Sequence, residues 1–241
     1  MKLDDIKKLH QKKYRTELGF FLVEGEHLIL ELEKAAKNNP LLASATVYVS
    51  DSYGDVQTDF ELVRISDKQM QKISDTKSPQ GIVAVVPFSP AASAQKVNVE
   101  RTIYLHEIQD PGNLGTILRT LAWFGGFKCV LSPNSVDPYN PKVVRASMGA
   151  IFHVPIEVDV PLSTMKTRFD SFACLDIAGA ALSEPQFSNH HCFIFGNEAR
   201  GVPREQLAAL PVESFSIQGS GILESLNLAT AVNMCAYELN R

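Results

Sequence analysis

Two hydrophobic rhythms alternate along the chain. Short, almost unbroken apolar runs occur at 20–23, 81–86, 102–105, 127–131, 172–176 and 192–195. Runs of this length, rich in Val, Ile, Leu and Phe, predict strands, several of them buried on both faces. Between them, apolar residues recur at intervals of three and four. Over 26–37, Leu28, Leu32 and Ala35 fall on one face, and over 114–124 Leu114, Ile117, Leu118 and Leu121 form a stripe. Further strands are expected at 45–49, 62–65 and 214–217. Further helices are expected at 3–13, 67–73, 141–148, 204–209 and 226–239, with Ser66 and Ser225 as caps. Strands alternating with helices predict an α/β fold with a parallel sheet.

The alternation is interrupted once. Residues 89–98 are rich in Ala, Ser, Pro and Gln and offer little that could enter a core, so they read as a linker. This divides the chain into a small α/β domain at 1–88 and a larger parallel-sheet domain at 99–241. A length of 241 residues agrees with two domains. No apolar run is long enough to span a bilayer, and the first residues are charged, so neither membrane association nor export is expected and the location is read as cytoplasmic. The four cysteines, at 129, 174, 192 and 235, form no C-x-x-C pair and lie in apolar surroundings. They read as reduced core thiols, with no metal site.

Net charge is −4, which by itself disfavours a nucleic-acid partner. Its distribution reverses that inference. Residues 1–16 carry Lys2, Lys7, Lys8, Lys12, Lys13 and Arg15 against Asp4 and Asp5, a foothold for phosphates. Lys12, Lys13 and Arg15, with Lys142 and Arg145 further along, are the candidate contacts to nucleic-acid phosphates.

Three loops follow predicted strands and open helices, the place where open parallel sheets bind ligands. The first, at 106–119, contains Asn113, Gly115, Ile117 and Arg119. Arg119 lies about 100° round the helix from Leu118, just off the buried stripe. The second, at 195–203, contains Gly196, Asn197, Glu198 and Gly201; its spacing is G-x-E-x-x-G, which is no dinucleotide fingerprint. The third, at 217–231, leads from Ile217 through two glycines to Ser225, Leu226 and Asn227 and an alanine-rich helix.

In this order the three loops resemble the SpoU/TrmH family of RNA 2′-O-ribose methyltransferases. Its first motif, N-x-G-x-I-x-R, is matched by Asn113, Gly115, Ile117 and Arg119; its second by Gly196, Glu198 and Gly201; its third, ending S-L-N, by Ser225, Leu226 and Asn227. Residues 136–150 also look like the family's intervening segment, and 10–87 resemble, more loosely, its N-terminal substrate-binding domain. One departure stands out: Gln218 and Gly219 follow Ile217, where the family has Pro-Met.

The resemblance implies a deep trefoil knot in the C-terminal domain, a topology that general connection rules disfavour, and a homodimer formed through that domain. It implies S-adenosyl-L-methionine as cofactor, held by Leu175, Gly196, Asn197, Gly201, Ile217 and Leu226. It makes Arg119 the central catalytic residue, assisted by Asn113, Glu198, Ser225 and Asn227. The substrate would be a structured RNA, ribosomal rather than transfer RNA. A catalytically silent RNA-binding protein on the same scaffold is the alternative, though such a protein would be expected to lack the arginine or the glycine loops. An unrelated nucleotide-dependent enzyme is disfavoured because no phosphate-loop or dinucleotide fingerprint occurs.

Overall fold

A computed structural model of the protein describes residues 1–88 and 99–241; the expected linker at 89–98 lies outside the described residues. Two units are distinguished by their internal packing.

The first unit begins with α1 (Leu3–Lys8) and α2 (Lys12–Leu18), followed by β1 (Phe20–Glu24), α3 (Glu26–Ala36), α4 (Pro40–Ala43), β2 (Thr46–Ser50), β3 (Glu61–Ile65), α5 (Asp67–Ile73) and β4 (Ile82–Pro87). Its sheet has the order β1-β4-β2-β3, with β4 antiparallel to both neighbours and β2 parallel to β3. Every residue of β4 is buried, which is why its sequence is a continuous apolar run. Ser66 caps α5 as expected, and Gln69 completes a reciprocal capping box.

The single helix expected at 3–13 is broken. Gln11 is extended, with φ −104° and ψ 132°. Tertiary bonds override local propensity here: the Leu9 carbonyl accepts from Arg15 Nη1 at 2.7 Å, and His10 Nε2 meets the Ile73 carbonyl at 3.0 Å. Arg15 is also not the surface cation the sequence suggested. It is 3% exposed, and its Nε donates to Asp137 Oδ2 at 2.9 Å.

The second unit contains β5 (Arg101–Leu105), α6 (Pro111–Phe124) and β6 (Phe127–Leu131). The chain then forms α7 (Pro141–Ser147), which belongs to the first unit. It continues in the second with β7 (Ile156–Glu157), α8 (Leu162–Met165), β8 (Phe172–Ala181), β9 (Cys192–Phe195), α9 (Arg204–Leu207), β10 (Val212–Ser216) and α10 (Leu228–Glu238). The sheet order is β10-β8-β9-β5-β6-β7 and every pairing is parallel, as the alternation predicted. Tyr104, Val130, Cys174 and Ile194 enter one core cluster. Their neighbours Ile103, Leu105, Cys129, Leu131, Phe193 and Phe195 are equally buried and point to the other face. Both faces are therefore covered, the usual state of a parallel sheet. Among the described residues no helix is long and apolar enough to cross a membrane.

Asp137–His153 packs with the first unit, although its sequence position suggested the larger domain. Tyr139 stacks on Phe88 at 4.2 Å and contacts Phe21 at 4.9 Å between ring centroids. Gly149 has φ +94°, and a Cβ there would lie 2.6 Å from Glu31 Cβ; only glycine fits. The Arg15–Asp137 pair fixes the start of this segment. Removing one member of a buried pair leaves the other charge uncompensated, at a cost of about 3–5 kcal/mol. Arg15→Ala should lower stability by about that amount in urea denaturation; a loss below about 1 kcal/mol, the range of solvent-screened pairs, would show that the pair does not hold the segment.

Candidate active site

The strand order reverses direction about β5. From there the chain steps outward through β6 and β7, then fills the other side with β9, β8 and β10. The crevice beyond the carboxyl ends of β5 and β9 is thus the topological switch point, where parallel sheets bind ligands. The loops that leave these two strands carry the first and second motifs.

The first loop ends in a capped helix. Asp110 is the N-cap of α6, its Oδ1 accepting from the Asn113 backbone N–H at 2.7 Å, and Pro111 occupies the first helical position. The stripe Leu114, Ile117, Leu118 and Leu121 is buried as its spacing predicted.

The second loop folds back on itself. Asn197 and Gly201 exchange two backbone hydrogen bonds, each 2.9 Å. A Cβ at Gly196 would lie 2.3 Å from the Gly201 carbonyl carbon, and Gly201 itself has φ +70°, so the two glycines of the motif are geometric requirements. Asn197 is buried and shapes the loop. Its Oδ1 accepts from the Ala199 and Arg200 N–H groups at 3.0 Å each, and its Nδ2 donates one hydrogen to the Glu107 carbonyl at 2.7 Å.

This shape delivers the Glu198 carboxylate to the first loop. It accepts from the Gln109 N–H at 3.2 Å, the Asp110 N–H at 3.3 Å and Asn113 Nδ2 at 3.4 Å. Asn113 Oδ1 in turn accepts from Asn227 Nδ2 at 2.9 Å. Asn227, not Ser225, is the N-cap of α10, its Oδ1 accepting from the Thr230 N–H at 3.3 Å. Asn113, Glu198 and Asn227, one from each motif, therefore form one network. With Gln109, Asp110 and Asn197 they line a cavity of about 460 Å³.

Three residues outside the expected set support this network. Gln109 Nε2 donates to the Glu107 carbonyl at 3.0 Å and the Asn134 carbonyl at 2.7 Å, and Glu107 pairs with Arg200. Glu107 has a positive φ of 50°, an uncommon conformation for a side-chain-bearing residue. Each lies inside a loop already singled out, but their partners are distant in sequence and no spacing rule points to them. His106, at the end of β5, has its pKa pushed below the ordinary histidine value, chiefly by burial.

The remaining expected residues lie apart from the cavity. Arg119 is exposed on α6 and forms no hydrogen bond or ion pair among the described residues. Six residues beyond Asn113, it sits about 9 Å along the helix and about 120° round from it. Ser225 and Leu226 are exposed and Ile217 half-buried. Residues 217–226 make no hydrogen bonds among the described residues, so their N–H and C=O groups are free to bind a ligand. Leu175 is half-buried at a break between β8 and β10: Ser214 pairs with Cys174 but Phe215 with Ala180, so residues 175–179 leave that ladder, while Leu175 keeps its pairing with Phe195 of β9. Hydrophobic side chains beside unpaired backbone groups are the donor set that suits the purine and ribose of an adenosine cofactor. Of the candidate RNA contacts, Lys12, Lys13 and Lys142 are exposed. Arg15 is occupied as described, and Arg145 pairs with Asp75 at 2.9 Å.

Residues 100–237 match the model of the SpoU rRNA Methylase family, and residues 2–84 that of the MRM3-like substrate binding domain. The chain is 32% identical over 247 aligned positions to the 23S rRNA (guanosine(2553)-2′-O)-methyltransferase RlmP of Bacillus subtilis, with 99% of this chain and 95% of that protein covered. Among solved structures, the AdoMet-bound rRNA methyltransferase from Sinorhizobium meliloti superimposes with a TM-score of 0.80 at 25% identity, covering 98% of this chain and 93% of the other. The SpoU methyltransferase AviRb from Streptomyces viridochromogenes, in complex with AdoMet, gives 0.83 at 21% identity, over 98% and 96%; that likeness speaks to fold alone. A parallel sheet with its three motif loops gathered at the switch point, and a family match covering more than half of its length, place the chain in the SpoU rRNA methylase family.

Proposed function

We propose that the protein transfers a methyl group from S-adenosyl-L-methionine to a ribose 2′-hydroxyl of ribosomal RNA. The observation that carries this reading is the network joining Asn113, Glu198 and Asn227 across the three motif loops at the switch point of the sheet. The similarity to RlmP of Bacillus subtilis supports ribosomal RNA as the substrate.

When bound, the cofactor supplies an electrophilic methyl group on a sulfonium. Leu175, Ile217, Leu226 and the backbone of the loop shaped by Gly196, Asn197 and Gly201 would hold its adenosine part. The 2′-hydroxyl is a very weak acid, and the chain must make loss of its proton easier. Arginine stays protonated in proteins, so Arg119 acts as a fixed cation: it pairs with the RNA phosphate and stabilises the developing alkoxide. With no counter-ion of its own among the described residues, its guanidinium is available for that charge. Asn113, Glu198, Ser225 and Asn227 position the ribose and the loops around it.

The active form is a homodimer in which Arg119 works beside the partner's cofactor. Support comes from the face of α6 that carries Arg119. Trp123, one turn further, is 85% exposed, and Tyr237 and Met234 on the neighbouring α10 are 59% and 42% exposed. Apolar side chains clustered on packed helices mark an association surface, and Arg119 lies about 120° round the helix from Asn113, on another face than the one its own chain's cavity uses. The C-terminal segment would form the trefoil knot of the family; what supports this is that β10 lies at the sheet edge and α10 packs against α6, with Asn227 bonded to Asn113. The first unit, with Lys12, Lys13 and Lys142 exposed, selects the RNA. The four cysteines are unpaired and buried, which suits the reducing cytoplasm.

Arg119→Ala should reduce methyl transfer to ribosomal RNA by at least about 100-fold, the scale for losing one preorganised charge donor. S-adenosyl-L-methionine binding, measured by calorimetry, should stay close to wild type. Near-normal incorporation of labelled methyl would remove Arg119 from the mechanism. Trp123→Glu should convert the dimer to monomer in sedimentation analysis and abolish turnover with it; a dimer that persists would place the interface elsewhere.

A further inference from the structure

Tyr14, on α2, has two ammonium groups against one ring. Lys8 Nζ lies 5.8 Å from the ring centroid and Lys13 Nζ 5.6 Å. The ring is half-buried and is not part of the core cluster beneath the sheet, whereas Lys12 and Lys13 beside it are exposed. The next residue, Arg15, is anchored by Asp137 and the Leu9 carbonyl, so α2 presents Tyr14 from a fixed position. Both ammonium groups concentrate positive charge beside one half-buried ring. Of the two, Lys8 also pairs with Asp5 at 2.8 Å, and Lys13 has no carboxylate partner among the described residues. A ligand that brings a π-face together with negative charge on both sides would complement this arrangement.

We propose that Tyr14, flanked by Lys8 and Lys13, is a stacking platform for one unpaired nucleotide of the RNA substrate, with the two lysines taking the adjacent phosphates. The assignment rests on the RNA-methyltransferase reading above and adds to it a strand-specific recognition element carried by the first unit. Bases stack on aromatic side chains whatever their identity, because each has a π-face. That contact outweighs the exposed cation–π contacts it displaces, and the released ammonium groups gain phosphate partners. A duplex offers no free base face, so the platform distinguishes an unpaired nucleotide from a paired one.

The test is fluorescence anisotropy of the full chain with a fluorescein-labelled single-stranded RNA of about 12 nucleotides, within the site sizes of such platforms, and with a duplex of equal length. Tyr14→Ala should weaken single-strand binding about tenfold and leave duplex binding unchanged, while Tyr14→Phe, which keeps the ring, stays within about twofold of wild type. Lys8→Gln and Lys13→Gln should each lower the slope of log affinity against log salt by about 0.7. These lysine variants keep the proposal testable if Tyr14→Ala fails to fold, as judged by circular dichroism and S-adenosyl-L-methionine binding. Single-strand affinity of Tyr14→Ala equal to wild type, Tyr14→Phe as weak as Tyr14→Ala, or salt slopes unchanged in both lysine variants would overturn the platform and leave the methyltransferase reading intact. A wild-type protein that binds neither RNA and methylates no ribosomal RNA would overturn both.

Discussion

The Glu198 carboxylate is the point on which the second unit's loops converge. It meets two backbone N–H groups ahead of α6 and the amide of Asn113. These are groups that water would otherwise have to satisfy, at the positive end of a helix of 14 residues. A carboxylate in that position gains from charge-assisted hydrogen bonds and from the helix dipole together. Glu198 reaches the position only because the loop behind it is tight. Gly196 lets the backbone cross within a distance no Cβ would permit, and Asn197 bonds to both ends of the turn and to Glu107. Asn113, held by Glu198, then orients Asn227 and with it the start of α10. Three loops far apart in sequence are fixed by one acid and two amides.

How much of this could be read from the sequence depends on the range of the forces involved. The stripe on α6 was legible because a buried helix face repeats every three to four residues and the sheet beneath it is apolar throughout. The parallel sheet was legible for a similar reason, since strands buried on both faces have no polar side to disguise them. The cap of α10 was not. Ser225 and Asn227 are both good caps by residue type. What favours Asn227 is its second bond, to Asn113 at 114 positions' distance. The break between α1 and α2 was hidden likewise: charged, helix-favouring residues run straight through it, and the cause is a guanidinium taking the Leu9 carbonyl.

Arg15 and Arg119 show the same limit from opposite sides. Both read as cations beside a helix. Arg15 is enclosed by Asp137 and a carbonyl, and its charge is spent on holding Asp137–His153 against the first unit. Arg119 is exposed and without a counter-ion among the described residues. A cation that the fold neutralises contributes structure, whereas one left open contributes potential to whatever anion approaches. Sequence position does not separate the two cases; the location of the nearest carboxylate does.

The same reasoning bears on a chain that is acidic overall and yet belongs to a family acting on RNA. Phosphate contacts depend on local potential within about 8–10 Å, the screening length at physiological salt, so a net charge of −4 counts for less than the balance of charges within that distance. With Arg15 neutralised by Asp137, the first helices still present Lys2, Lys7, Lys8, Lys12 and Lys13 to solvent. Positive charge is thus concentrated in the first helices, and the rest of the sequence is on balance acidic. An excess of basic residues spread evenly would raise affinity for every RNA in the cell, because the electrostatic term carries no sequence information. An acidic remainder would instead favour selectivity, since it would leave a nucleic acid few productive places to bind.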